Sequence, residues 1–205
     1  MSEYTEIPIS AAVEGPVDEA VVYKIINYIG GQTGKVFVTH GKPNLRKRIL
    51  AYVNASYYNP WFILVDLDTD FSCPYELLEK WSIPSTDLLC FRIAVCEVES
   101  WLMSDYDRFA SFLGVSKTNL SRNPDGLTEV KRNIVNLARY SNYRKIREGY
   151  VPREGSGRHV GPNYTSLMLD FIHNKWRPNV AMNVSESLYR AIQCLQKLVV
   201  KTSYL

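Results

Sequence analysis

Four short apolar runs recur in the first half of the chain, at 7–13, 35–39, 61–66 and 88–95, each followed by a segment with helical spacing. This βαβα alternation leaves few architectures open, because parallel strands need a crossover long enough for a helix and are buried on both faces. The expected fold is α/β, a mostly parallel, Rossmann-like sheet flanked by helices. Val17, Ala20, Val21, Ile25, Tyr28 and Ile29 mark a helix over about 17–29 that stops at Gly30-Gly31. A second helix, about 43–56, begins near Pro43 and sets Arg46, Lys47 and Arg48 among Leu45, Ile49, Leu50 and Val53. A short helix at about 74–81 opens at Pro74, and Cys96–Met103 reads as the helix after the last strand.

Beyond about residue 104 the strand pattern ends. Helices are expected at 105–113, 127–140, 164–175 and 185–200, the last capped by Ser185 with Leu188, Ile192, Leu195 and Val199 on one face. The segment 144–162 reads as a loop from its Gly and Pro content. The chain therefore divides into an α/β core, residues 1–104, and an α-helical extension, residues 105–205. Charge divides the same way. The first part holds 8 Lys/Arg against 13 Asp/Glu and the second 16 against 8, balances of −5 and +8. An acidic half suited to cations joined to a basic half suited to polyanions fits an enzyme acting on nucleic acid.

Other classes are excluded or disfavoured. No apolar stretch reaches 18 residues, so no membrane span is expected. Met1–Glu6 is acidic and lacks the order of a signal peptide, which makes the cytoplasm the expected location. Cys73, Cys90, Cys96 and Cys194 show no C-x-x-C spacing, and Cys90 and Cys96 lie in or beside an apolar run. They are read as small buried hydrophobes rather than zinc ligands or a disulfide framework. No Ser or Cys sits in a nucleophile elbow, and no P-loop is present, so ATP hydrolysis would need a separate ATPase partner.

Three of the four strands end in carboxylates. Glu14-Gly15 closes the first, with Asp18 in the first turn of the next helix, where the macrodipole favours an anion. Asp66 closes the third, and Asp66, Asp68 and Asp70 alternate so that an extended chain would set them on one side. Glu97 and Glu99 follow the fourth. A spacing of two does not share a helix face, and Glu97, nearer the strand end, is the one expected at the site. Carboxylates gathered in one crevice repel unless protons or a hard cation compensate, and Mg²⁺ (or Mn²⁺) takes such ligands together with substrate phosphate. The expected ligands are Glu14, Asp18, Asp66, Asp68 and Asp70; Glu14, Asp66, Asp68 and Glu97 are the expected catalytic groups. A D-x-D after a strand also occurs in haloacid-dehalogenase-type phosphatases, which want Thr or Val where Asp70 stands, and in nucleotide-sugar transferases, which do not predict Glu14-Gly15.

Arg144, Lys145, Arg147, Arg153, Arg158 and His159 form the most basic stretch and are the expected nucleic-acid contacts. Tyr143, Tyr150, Tyr164 and Trp176 lie near the basic segments, a mixture suited to single-stranded or distorted nucleic acid.

Val13-Glu14-Gly15-Pro16-x-Asp18 after one strand and Asp66-x-Asp68-x-Asp70 after another resemble the TOPRIM (topoisomerase-primase) fold, which includes the overcoming-lysogenization-defect nucleases. Cys96–Asp105, Gly155–Tyr164 and Trp176-Arg-Pro-x-x-Ala181 resemble segments of an uncharacterised TOPRIM-like family of small bacterial proteins, some found in phage-defence loci. The resemblance covers about residues 5–105 and implies an acid/base or metal role for Glu14, Mg²⁺ ligation by Asp66 and Asp68, and a further acidic ligand at Asp18. Many TOPRIM proteins carry Ala-Gly after the D-x-D, whereas this chain has Asp70-Phe71, which sets it apart from primases and topoisomerases. The expectation is a Mg²⁺-dependent nuclease, plausibly a phage-defence effector, with nucleic acid, a defence-system protein or a second copy of itself as partners. The alternatives are a non-catalytic binding module and a metal-dependent nucleotide-diphosphate transferase.

Overall fold

The computed structural model describes residues 7–202, so the Met1–Glu6 stretch lies outside the described residues. The elements run β1 (Ile9–Val13), α1 (Pro16–Tyr28), β2 (Thr33–Val38), α2 (Lys42–Ala55), β3 (Trp61–Asp66), α3 (Pro74–Trp81), β4 (Leu89–Ala94) and α4 (Val98–Met103). Then follow α5 (Tyr106–Leu113), α6 (Val130–Arg139), α7 (Arg144–Tyr150), α8 (Tyr164–Asn174), α9 (Pro178–Ala181) and α10 (Glu186–Thr202), with two 3₁₀ turns between α5 and α6. The fold is α/β: the four strands form one sheet in the order β2-β1-β3-β4, and every pairing is parallel.

The apolar runs form strands because both sides of each have something to bury against. Alternate residues of β1 and β3 go to opposite layers. Ile9, Ala11, Val13, Phe62 and Leu64 join α1 and the C-terminal helices, whereas Ala12, Trp61, Ile63 and Val65 join α2 and α3. Phe37, Tyr52 and Trp61 stack in the second layer with ring centroids 5.1–5.7 Å apart. The first layer continues without a break into the second half of the chain, taking in Trp101, Phe109, Ile134, Phe171, Trp176 and Leu195. The basic half therefore packs on the same core as the strands. Helix α10 lies along β4, where Cys90 and Cys194 pair as a disulfide with Cα atoms 5.9 Å apart. The expectation of unpaired, core-filling cysteines is thereby corrected for Cys90 and Cys194, while Cys73 and Cys96 are free thiols.

Two buried polar clusters fix how the halves meet. Asp105, fully buried before α5, accepts hydrogen bonds from the Arg177 backbone N–H and from its Nε and Nη2, at 3.0, 3.0 and 2.6 Å. Asp125 accepts from the hydroxyls of Ser100, Ser185 and Ser187. Ser185 also caps α10 by accepting from the Leu188 N–H, as its position predicts.

The stretch expected to be loop from 144 is helical to Tyr150. Gly149, a weak helix former, is tolerated there because a β-carbon would lie 2.5 Å from Leu167 Cδ1, so its absence lets α7 approach α8. Ile146 and Tyr150 bury the inner face, and the loop proper begins at Val151.

Candidate functional site

From β1 the chain passes to β2 on one side and then crosses to β3 on the other. The order reverses between β1 and β3, and a parallel sheet opens a crevice beyond its carboxyl ends at such a point. Glu14 directly follows β1 and Asp66 ends β3. The Asp66 backbone N–H donates to Glu14 Oε1 at 3.0 Å, tying the strand ends together. In the first turn of α1 the Gly15 N–H donates to Asp18 Oδ2 at 2.7 Å, and the Val98 N–H at the start of α4 donates to Asp66 Oδ1 at 2.9 Å. Each carboxylate thus has one oxygen anchored by backbone. The second oxygen of each accepts no hydrogen bond among the described residues, and all three side chains line a cavity of about 330 Å³.

Glu99 completes the cluster. It is 2 % exposed, lines the same cavity, accepts from the Tyr164 hydroxyl at 3.3 Å and lies 3.6 Å from Lys131 Nζ. Glu97, the expected partner of the cluster, lies at its rim instead. As the residue before α4 it is extended, and its side chain accepts from Lys131 Nζ at 2.8 Å and from the Lys131 backbone N–H at 3.1 Å. The spacing rule requires that the two glutamates diverge, and the extended residue at 97 decides which one turns inward.

Burial dominates the electrostatics. It pushes Glu14 from 4.5 up to about 7, against the Asp66 hydrogen bond and Lys42. Burial, then the charge of Glu99, raises Asp18 from 3.8 to about 7. Asp66 is pushed well above the usual carboxylate range by burial and by Asp18, and Glu99 is raised by its own burial. The Lys131 ammonium opposes all four. Burial works against its charge, yet Glu99, Asp66 and Glu97 outweigh that and hold it above its usual value.

Asp68 and Asp70 do not share the face of Asp66. Past the strand end Asp68 takes a left-handed backbone, φ 52°, which turns the chain outward. Lys42 gathers both side chains, at 2.7 Å from Asp68 and 2.9 Å from Asp70. Asp68 still borders the carboxylate cavity, whereas Asp70 is exposed at the mouth.

That mouth is a second cavity of about 730 Å³, which shares Asp68, Lys131 and Val160 with the first. Its lining mixes the carboxylates Asp68, Asp70, Glu97 and Glu129 with Lys131, Arg132, Arg139, Arg158 and His159. Of the expected nucleic-acid contacts, Arg158 and His159 are therefore brought to the carboxylates. Arg147 and Arg153 line a neighbouring cavity, Arg144 is held by Glu148 on the surface of α7, and Lys145 is exposed there. Tyr150, Tyr164 and Trp176 are core residues, leaving Tyr143 as the accessible ring of the four. Lys42, Lys131 and Arg139 carry no motif spacing, and only the fold reveals their place; Glu99 belongs to the acidic pair after the fourth strand, and the fold puts it, rather than Glu97, inside the cluster.

The donor set suits a hard divalent cation: clustered carboxylate oxygens, excess negative charge, and no sulfur or imidazole in the cavity lining. Among the described residues no group of three or more His, Cys, Asp or Glu side chains is arranged so that it could hold a metal ion as it stands. Also among the described residues, no helix is long and apolar enough to cross a membrane. Comparison with protein-family models, with curated proteins and with solved structures gives no match.

Proposed function

We propose that this chain is a TOPRIM-like, Mg²⁺- or Mn²⁺-dependent phosphodiesterase acting on nucleic acid, with a phage-defence role as the biological setting. The observation that carries the reading is the convergence of Glu14, Asp18, Asp66 and Glu99 at the sheet's switch point, beside a mouth whose lining includes Arg139, Arg158 and His159. Glu14, Asp18 and Asp66 would hold the cation through their unanchored oxygens, with Asp68 and Glu99 beside them. A bound divalent ion supplies Lewis acidity toward a phosphoryl oxygen and lowers the pKa of water.

The chain's own groups divide the remaining tasks. Arg158, Arg139 and His159 would hold substrate phosphate in the mouth, so that an anion can approach a region rich in carboxylates. Lys131 offsets part of the carboxylate charge and keeps Glu97 and Glu99 apart from solvent cations. Backbone N–H groups fix the three anchored oxygens, so the site costs little reordering when occupied.

A second reading, the non-catalytic binding module, draws on the internal cations. Lys131 already compensates Glu97 and Glu99, and Lys42 already occupies Asp68 and Asp70. The same Lys42 clamp leaves the D-x-D poorly disposed for a nucleotide-diphosphate transferase. The test is cleavage of labelled single- and double-stranded DNA and RNA in Mg²⁺, Mn²⁺ or EDTA, beside Glu14→Ala and Asp66→Ala. Replacing partners outside the ligand shell costs about 10–100-fold, so loss of these two groups should cost at least ~100-fold. Cleavage that persists in EDTA, or in both variants, defeats the proposal.

A further inference from the structure

Beyond the mouth of the carboxylate crevice lies a third cavity, of about 780 Å³, lined by Arg139, Arg147, Arg153, Val151, Pro162 and Asn163, with Glu148 at its edge. Arg139 belongs to this cavity and to the mouth, and the mouth shares Lys131 with the carboxylate pocket. The three depressions are therefore neighbours, with Arg139 bordering two of them. Arg139, Arg153 and Arg158 make no ion pair among the described residues, and the one carboxylate at the third cavity, Glu148, is engaged by Arg144 at 2.6 Å. A run of unpaired guanidinium groups along a groove is a path for a polyanion.

Two exposed rings are close to these arginines along the chain, Tyr140 next to Arg139 and Tyr143 one helical turn before Arg147. Tyr140 ends α6 directly after Arg139 and is 80 % exposed; Tyr143 precedes α7 and is 53 % exposed. Tyr143 is held in place: its carbonyl accepts the Arg147 N–H at 3.1 Å, and its ring lies against Gly114. A β-carbon at Gly114 would come 2.5 Å from the ring, and φ there is +66°, so glycine is required on two counts. One face of a fixed aromatic ring is packed and the rest is open, which is how a stacking platform for a base is built.

We propose that this groove binds single-stranded nucleic acid, with backbone phosphates on Arg139 and Arg153 and a base stacked on Tyr143. The strand then continues past Arg158 and His159 toward the carboxylates. The discrimination against duplex is geometric. Asp18 and Asp66 are each 7 % exposed at the bottom of a cavity of about 330 Å³, and a stiff duplex holds its phosphates on a broad convex surface that cannot descend there. A single strand bends into a crevice and frees its bases to stack. The direction of the strand rests on the phosphodiesterase reading, whereas the binding itself does not.

The experiment measures fluorescence anisotropy of a labelled oligonucleotide of about 16 nucleotides, an upper size for single-strand sites of one small domain, and of its duplex. It is run in EDTA across a salt series, with melting curves for every variant. The single strand should bind at least ~10-fold more tightly than the duplex. Arg139→Gln with Arg153→Gln should reduce the slope of log K against log salt by about 1.4, two phosphates at about 0.7 each. Tyr143→Leu should weaken single-strand binding by roughly 5–150-fold, the span of one lost stack, leave the slope unchanged, and be rescued by Tyr143→Phe. Equal affinity for duplex and single strand overturns the proposal, as does unaltered binding in the folded arginine or Tyr143→Leu variants. Because no metal is present, tight single-strand binding by a protein that cleaves nothing in Mg²⁺ would sustain this inference while removing the phosphodiesterase.

Discussion

Removing the charge of Glu14 should stabilise the metal-free protein, and should do so more strongly toward alkaline pH. Burial raises this carboxyl from 4.5 to about 7, so at pH 8 the folded chain holds a carboxylate that the crevice favours in its protonated form. A difference of about 2.5 units at 1.36 kcal/mol each corresponds to about 3 kcal/mol. Between the two values the folded state binds more protons than the unfolded one. The contribution of Glu14 to stability is therefore full below about pH 4.5, declines as pH rises, and is gone above about pH 7. Glu14→Gln keeps the side-chain shape and an oxygen for the Asp66 N–H, but has no charge to desolvate. The attraction of Lys42 and Lys131 is already contained in that raised value, so the gain stays about 3 kcal/mol at pH 8. For a chain of this size that is about 6–12 °C in Tm. Urea unfolding in EDTA at pH 5 and pH 8 reads the effect directly. The variant should exceed wild type by about 1 kcal/mol at pH 5 and by about 3 kcal/mol at pH 8. Equal differences at the two pH values, or destabilisation at pH 8, would refute the account of a crowded, under-compensated carboxylate cluster.

Lys131→Met is the opposite perturbation: it strips the cluster of its internal cation and, with a side chain 42 % exposed, should cost about 1–3 kcal/mol at pH 8, less at pH 5 where the carboxyls can protonate, as urea midpoints will show. Asp105→Ala should lower stability by about 2–4 kcal/mol at neutral pH, since it deletes the buried acceptor of three Arg177 donors although the guanidinium can partly hydrate. Thiol titration of the denatured, unreduced protein should count two reactive cysteines, Cys73 and Cys96, and four after reduction; four before reduction would contradict the Cys90–Cys194 pairing.

Much of the fold is legible in local pattern because each strand has both faces buried and each following helix has a clear start. Pro16, Pro43 and Pro74 fall in the first turns of α1, α2 and α3, and Gly30 ends α1 with φ +78°. The carboxylates of the site are legible for a related reason. A residue just past a parallel strand projects into the crevice whatever the rest of the chain does, which is why Glu14 and Asp66 meet. Their supports follow from no such rule. Lys131 lies on α6, more than thirty residues from Glu97, and reaches the cluster only because the basic half packs on the sheet's own core. The alternation that would align Asp66, Asp68 and Asp70 holds for an extended chain, and the left-handed turn at Asp68 ends it. Helix α7 was hidden by Gly149, whose missing side chain lets two helices touch rather than breaking one. Cys90 and Cys194 are 104 residues apart, and only the placement of α10 along β4 brings them together.

The central claim is that Glu14, Asp18 and Asp66 form a binding site for a hard divalent cation. Isothermal titration of the purified chain with Mn²⁺ at pH 8, beside Asp66→Asn and Asp18→Asn, tests it without reference to any substrate. The account predicts saturable binding to the wild-type protein, loss of at least ~10-fold in affinity in each folded variant, and a rise in wild-type Tm with added metal. Binding that is absent from the wild type, or undiminished in both variants, would contradict it.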